Sequence, residues 1–168
     1  MKPRGEVTIR PATEADHDAI WSILKPVYRA GETYCIPRDI TRPEALKDWF
    51  NRPFTAFVAE HRGRILGTSH VGANRPAGGS HVANASFATH PEARGKGVAR
   101  ALADHAKSWA AAHGFRAMQF NFVVSTNDDA VHLWQKAGFE IVGRLPGAFR
   151  HPDKGLVDAL VMYAKLKE

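Results

Sequence analysis

HPEARGKGVARALADHA, residues 90–106, is the stretch from which the rest of the chain can be read. Gly95 and Gly97 stand among Arg94, Lys96 and Arg100, and from Val98 onward the sequence turns abruptly to helix. The first four N–H groups of a helix have no internal partner, and the helix dipole places partial positive charge at that end. Together they make an anion site from the main chain alone. Glycine lets an oxygen approach without a Cβ in the way, and Arg94, Lys96 and Arg100 add charge. Such a loop would hold a pyrophosphate. A glycine-loosened turn with solvated cations is the alternative that the stretch by itself leaves open. Two other phosphate loops fail on spacing. A Walker loop needs Gly-Lys followed by Ser or Thr, whereas Gly95-Lys96 is followed by Gly97. A dinucleotide fingerprint needs a parallel βαβ start and an acidic residue about 20 positions on, and neither is evident.

Working outward, His81 to Thr89 reads as the strand before this loop, and the helix runs from about Gly97 to His113, stopped by Gly114. Ala117 to Val124 (AMQFNFVV) is apolar and aromatic and reads as a buried strand. Asn127 can cap a helix to Lys136, with Gly138 ending it. Glu140 to Arg144 and Val157 to Lys165 read as the last strands, with LPGAFRHPDKG between them as a Pro/Gly loop. On the other side, Val7 to Arg10 reads as a strand. Thr13 to Asp16 has capping-box spacing. Ile20, Ile23, Leu24 and Val27 share one helical face, and Pro26 is expected to bend or end that helix. Pro43 to Phe50 reads as a second helix. Thr55 to Glu60 and Ile65 to Ala73 form an antiparallel hairpin around Gly63, followed by the turn signal Asn74 to Ser80. The order predicts a mixed α/β domain with helices packed on a largely antiparallel sheet.

Composition bounds the function. A chain of 168 residues suits one domain, residues 1–168, and buries roughly 70% of its unfolded surface without staples. Cys35 is the only cysteine, so no intramolecular disulfide forms. The net charge of +6 points to an anionic partner or to general solubility. The cations are spread along the chain with no basic run interleaved with aromatics, so nucleic acid is disfavoured. No apolar run approaches the ~18 residues of a membrane span, and the N-terminus carries no apolar signal region. The expected location is the cytoplasm.

With these motifs in place the sequence resembles the GNAT superfamily of acetyl-CoA-dependent N-acetyltransferases. The family's pyrophosphate loop, Arg/Gln-x-x-Gly-x-Gly/Ala, is matched by Arg94, Gly97 and Ala99. The strand end Ala88-Thr89-His90-Pro91 matches as well, as does the block of Asn127, Ala130, Leu133, Trp134, Gly138 and Phe139. The opening IRPATEADHDAIWSIL has the look of the family's first strand and helix, and the resemblance covers nearly the whole chain. It implies a largely antiparallel sheet of six to seven strands flanked by about four helices, and acetyl-CoA as cosubstrate. It further implies that Arg94, Gly95, Lys96, Gly97, Val98 and Ala99 bind the pyrophosphate. Phe87, Ala88 and Thr89 would pair with the pantetheine arm, and Asn127 would contact that arm, cap its helix, or both.

The chain departs from the family at Trp134, where most members place a tyrosine taken to protonate the leaving thiolate. Tryptophan cannot act as an acid near neutral pH. A thiol has a pKa of roughly 8.5, so a thiolate leaves tolerably without it. Trp134 is then expected to pack against cofactor or core. SHVANASFATHPEARGKG, FNFVVSTN and LPGAFRHPDKGLVDALVMY resemble a narrower group that includes acetyltransferases of cyclic imino acids such as azetidine-2-carboxylate. That resemblance implies that Asn84 faces the acetyl group and the acceptor, and it matches a second asparagine, on the next strand, with Asn121. Both lie in strand interiors, which deplete asparagine, and a buried amide without partners costs ~1–3 kcal/mol. They could satisfy each other, sit at a bulge, or hold the amine in line and steady an oxyanion.

His70, His81 and Glu60 are candidates for taking the amine proton. Arg75 and Arg150 are candidates for an acceptor carboxylate, or are solvated loop arginines. No metal-ligand spacing is present. The expected activity is acetyl transfer to the nitrogen of a small molecule, an amino or imino acid, by direct attack. A protein acceptor, a non-catalytic acyl-CoA sensor and a nucleic-acid binder are the other readings. Pairing as a homodimer through the aromatic C-terminal strands is a further expectation.

Overall fold

A computed structural model describes residues 6–166. The elements follow the order β1 (Val7–Pro11), α1 (His17–Ala30), α2 (Arg42–Trp49), β2 (Thr55–His61), β3 (Arg64–Ala73), β4 (Val82–Thr89), α3 (Val98–Ala112), β5 (Ala117–Val124), α4 (Asp128–Lys136), β6 (Glu140–His151) and β7 (Gly155–Lys165). They form one seven-stranded sheet in the order β1-β2-β3-β4-β5-β7-β6. Every neighbouring pair is antiparallel except β4 and β5. The mixed, largely antiparallel sheet with four helices is the architecture that the element order predicts. The parallel connection β4-α3-β5 was not legible, because nothing local in the sequence marks which strand a helix leads back to.

The sheet is covered on both faces. In β2, Ala56 and Val58 pack with Ile20, Ile23, Leu24 and Trp49 of α1 and α2. The alternating Phe57 and Ala59 face the other way, onto Ala103 and Ala106 and onto Val98 and Leu102 of α3. Side chains alternate across a strand, so a run buried at all four positions requires a layer of helix on each side. Gly67 of β3 sets how closely α3 can lie. A Cβ there would stand 2.6 Å from Val98 Cγ1 and 2.8 Å from Leu102 Cδ1.

Two local expectations are corrected. Pro26 lies inside α1 and does not end it. The helix runs on to Gly31, which takes a left-handed φ of 68°. Ile20, Ile23, Leu24 and Tyr28 bury one stripe of it, while Ser22, whose carbonyl loses its partner, and Pro26 are both exposed. Water therefore satisfies the freed group and packing holds the helix. The second correction concerns Leu145 to Gly155, read as a loop. Strand β6 continues through it to His151, with a break in register between Leu145 and Phe149. Phe149 is buried opposite Val157, and Asp158 Oδ1 accepts from the Gly147 N–H at 2.9 Å. Pro and Gly here mark an irregularity in an edge strand, where a missing ladder donor is tolerated. Among the described residues no helix is long and apolar enough to cross a membrane.

Candidate active site

The site is made where β4 and β5 separate. Their parallel pairing covers only Val82 with Ala117 and Ala83 with Met118. Beyond that, β4 keeps β3 on one side and has no strand on the other. The pleat decides which main-chain groups face the gap. His90 N–H donates to Leu66 O, so His90 faces β3. Alternation then turns Thr89, Phe87 and Ala85 toward the gap. The gap is a cavity of about 420 Å³, lined on one side by Asn84 to Thr89 and on the other by Phe120 to Val124. Asn127, Ala130 and Trp134 of the α4 region close its floor.

A second cavity, about 740 Å³, lies over the start of α3. Arg94, Gly95, Gly97, Val98, Ala99 and Arg100 line it, and Val27, Thr33 and Thr89 border both cavities. The two therefore form one groove. Gly97 is the N-cap of α3 with a φ of 73°, and no side chain caps the helix. Gly95 has a φ of 75°, and no atom lies within 4 Å of where a Cβ would stand on either glycine. Their need for glycine is therefore conformational, and the space over the free N–H groups of the first turn is open. Among the described residues Arg94 has no acidic partner. Lys96 is tied back, its Nζ donating to Glu92 O at 2.6 Å, and it does not line the cavity. Asp129 does, placing one negative charge opposite the loop.

At the far end the groove is lined by amides. Asn84 Nδ2 donates to Gln119 O at 2.9 Å, bridging β4 and β5 just past their last paired residues. Asn121 Nδ2 donates to Asn74 Oδ1 at 2.6 Å, and Gln119 Nε2 donates to Asn121 Oδ1 at 2.8 Å. Asn84 and Asn121 do not bond each other; Gln119 holds both, Asn84 through its main-chain carbonyl and Asn121 through its side chain, and Asn74 holds Asn121 as well. Asn121 also falls inside the register shift of β5 against β7 between Phe120 and Val123, which turns it out of regular pairing. Gln119 and Asn74 went unnoticed in the sequence, because one reads as an ordinary strand residue and the other as the first residue of a turn.

Tyr34 was missed as well. Its hydroxyl donates to Phe87 O and accepts from Phe87 N–H at 3.2 Å. Burial pushes its pKa up to about 12. The wall also holds Cys35, whose thiol burial pushes up.

Trp134 is 8% exposed, its ring 4.8 Å from Phe87 and 4.7 Å from Phe120. Asn127 accepts from Ala130 N–H at 3.4 Å, a long cap. None of the three candidates for taking the amine proton lines either cavity. His70 is stacked between Trp49 and Phe54, with its Nδ1 2.9 Å from Trp49 O. A carbonyl can only accept, so Nδ1 carries the proton. Burial lowers the ring's pKa and keeps it neutral. His81 is exposed, and Glu60 accepts from Arg10. Arg75 and Arg150 are exposed and outside the cavity walls. Arg75 follows Asn74 directly, whereas Arg150 alternates with the buried Phe149 and so lies on the opposite face of β6. Among the described residues no group of three His, Cys, Asp or Glu side chains is placed to hold a metal.

One groove thus runs from a bare helix N-terminus to a parted strand pair, an arrangement that suits a long anionic ligand. The chain belongs to the acetyltransferase (GNAT) family, whose model matches residues 17–139, and as a member it is an acetyltransferase that uses acetyl-CoA. It is 30% identical over 149 residues to N-acetyltransferase aca1 of Schizosaccharomyces pombe, covering 78% of this chain and 71% of that one. It is similar to the solved structure of a GCN5-related N-acetyltransferase from Kribbella flavida. There the TM-score is 0.90 and the identity 41%, over 95% of this chain and 97% of that one. A phosphinothricin acetyltransferase from Sinorhizobium meliloti, solved with AcCoA, shares the fold at a TM-score of 0.84 and 24% identity, over 96% of this chain and 89% of that one.

Proposed function

We propose that the chain moves the acetyl group of acetyl-CoA to the nitrogen of a small amine of the amino-acid or imino-acid class. The observation that carries this reading is the continuity of the groove from the uncapped start of α3 to Asn84 and Asn121. The N–H groups of Gly95 and of Gly97 to Ala99 would take the diphosphate, with Arg94 adding charge; the Lys96 N–H donates to Ala93 O instead. The arm would then run along Thr89 and Phe87, whose main chains face the gap, with Ala88 beneath it, Trp134 as floor and Asn127 beside it.

The acceptor end holds carboxamides. An amide presents a donor and an acceptor to an amine without the ion pair that would lock it as an ammonium. Asn84 would steady the developing oxyanion and Asn121 would hold the nitrogen in line with the thioester. As the nitrogen bonds to the acetyl carbon, the carbon–sulfur bond breaks. The amine proton goes to water, and the thiolate draws its proton from water. Cys35 stays protonated, so direct attack is favoured over an acyl-cysteine route. If the acceptor carries a carboxylate, Arg75, the residue after Asn74, is the candidate to meet it.

Two features of the relatives bear on the acceptor. The Sinorhizobium meliloti protein is named for a small molecule, phosphinothricin. The sequence motifs around Asn84 and Asn121 resemble the imino-acid group. Thiol release from acetyl-CoA across a panel of amino acids, proline analogues and N-terminal peptides tests the reading. Turnover with small amino or imino acids supports it. Turnover with peptides alone would replace the acceptor class, and acetyl-CoA binding with no turnover on any amine would favour an acyl-CoA sensor.

A further inference from the structure

One hydroxyl satisfies both main-chain groups that Phe87 turns toward the gap. The Tyr34 O–H donates to Phe87 O and its oxygen accepts from Phe87 N–H. Tyr34 belongs to the segment between α1 and α2, so a side chain has reached across to take the positions of a missing strand. The arrangement serves the empty cleft, because buried N–H and C=O groups without partners are costly. The phenol ring is steadied by an edge contact with the buried Tyr28, centroids 5.8 Å apart. Thr33 and Cys35, its neighbours in sequence, line the same cleft.

We propose that Tyr34 is a stand-in for the cosubstrate: it pairs with Phe87 while the cleft is empty and yields that position when acetyl-CoA enters. The inference rests on the reading of the cleft as the site of the pantetheine arm. The amides of such an arm offer an acceptor for the Phe87 N–H and a donor for its carbonyl, the same two functions that a hydroxyl offers. Binding therefore exchanges hydrogen bonds at Phe87 and gains none there. Tyr34 lowers the affinity for acetyl-CoA and stabilises the empty protein. It also shares a cavity with Asn84, so its departure reshapes the acceptor end.

Calorimetric titration of acetyl-CoA into wild-type protein and Tyr34→Phe tests this. Tyr34→Phe should bind roughly tenfold tighter, since only its empty state has lost hydrogen bonds. Its ligand-free form should melt lower than wild type, and the two saturated forms should melt together. Equal or weaker binding by the variant overturns the proposal. Failure of the wild type to bind overturns the reading of the cleft instead.

A measurement on unsubstituted sequence guards against a misfolded variant. The chain has three tyrosines, so 3-fluorotyrosine labelling gives three fluorine lines, and Tyr28→Phe and Tyr163→Phe assign the remaining one to Tyr34. Saturation with coenzyme A should move that line to the position of a solvent-exposed fluorotyrosine. A line that stays at its buried position overturns the proposal.

Discussion

Asn84 Nδ2 lies 2.9 Å from the Gln119 carbonyl oxygen and spans β4 and β5 where their ladder has just ended. One side chain thus fixes the width of the gap and presents an amide to its interior. Asn84→Ala should lower kcat/KM by roughly 10²–10³, the range for loss of one oxyanion donor. Binding of acetyl-CoA should stay within a few-fold of wild type. Steady-state kinetics with a calorimetric Kd check both, and full turnover by the variant would remove Asn84 from the mechanism.

Gly67 couples the sheet to the anion end of the groove. A Cβ at Gly67 meets Val98, the first residue of α3, at a distance that no real Cβ contact shows. Gly67→Ala should push the start of α3 outward, costing about 1–3 kcal/mol by overpacking. Acetyl-CoA affinity should fall further than stability alone explains. Urea denaturation together with calorimetry separates the two effects. A stable variant with unchanged affinity would show that the seat of α3 has slack.

Trp134 packs against Phe87 and Phe120 at the position where the family resemblance implies a tyrosine acid. Trp134→Ala should cost about 3–5 kcal/mol, as for other large-to-small core changes. Trp134→Tyr keeps most of the ring and should change kcat by less than tenfold, because the thiolate leaves unaided at a pKa of roughly 8.5. A hundredfold rise in kcat with Trp134→Tyr would mean that the missing proton limits the natural enzyme.

The Arg10 guanidinium pairs with both oxygens of Asp16, at 2.8 and 2.9 Å. Chiefly through those bonds the Asp16 carboxyl is lowered to about 2. The folded value lies below the unfolded one of about 3.9. The pair's contribution is therefore present above pH 4 and is lost as pH falls from about 4 toward 2. Arg10 has a side chain 38% exposed, so solvent screening reduces the pair's contribution to about 1 kcal/mol. Asp16→Asn should lower Tm at pH 7, and its deficit against wild type should shrink between pH 4 and pH 2. A deficit independent of pH would assign Asp16 a capping role only, through its bond to the Thr13 N–H.

Much of this was legible from residue order. The glycines before α3, its helical run and the capping asparagine at 127 carry local signals, because caps and turns act over a few residues. What failed to show depends on which strands lie side by side and on which face a residue lands. Pairing of β4 with β5 in parallel is long-range, and so is the reach of Tyr34 to Phe87 across 53 positions. His70 and Glu60 stand on strands near the site, yet one is stacked in the core and the other is paired with Arg10. Strand adjacency did not distinguish them from residues facing the gap. Pro146 and Gly147 looked like loop residues because they mark a break in an edge strand, and the burial of Phe149 that keeps the strand going is a tertiary effect.

A crystal structure of the chain with coenzyme A tests the central claim most directly. The account predicts diphosphate oxygens within hydrogen-bonding distance of main-chain N–H groups between Gly95 and Ala99, with the arm lying in the gap between β4 and β5. A diphosphate held elsewhere, with that helix terminus still facing water, would contradict it.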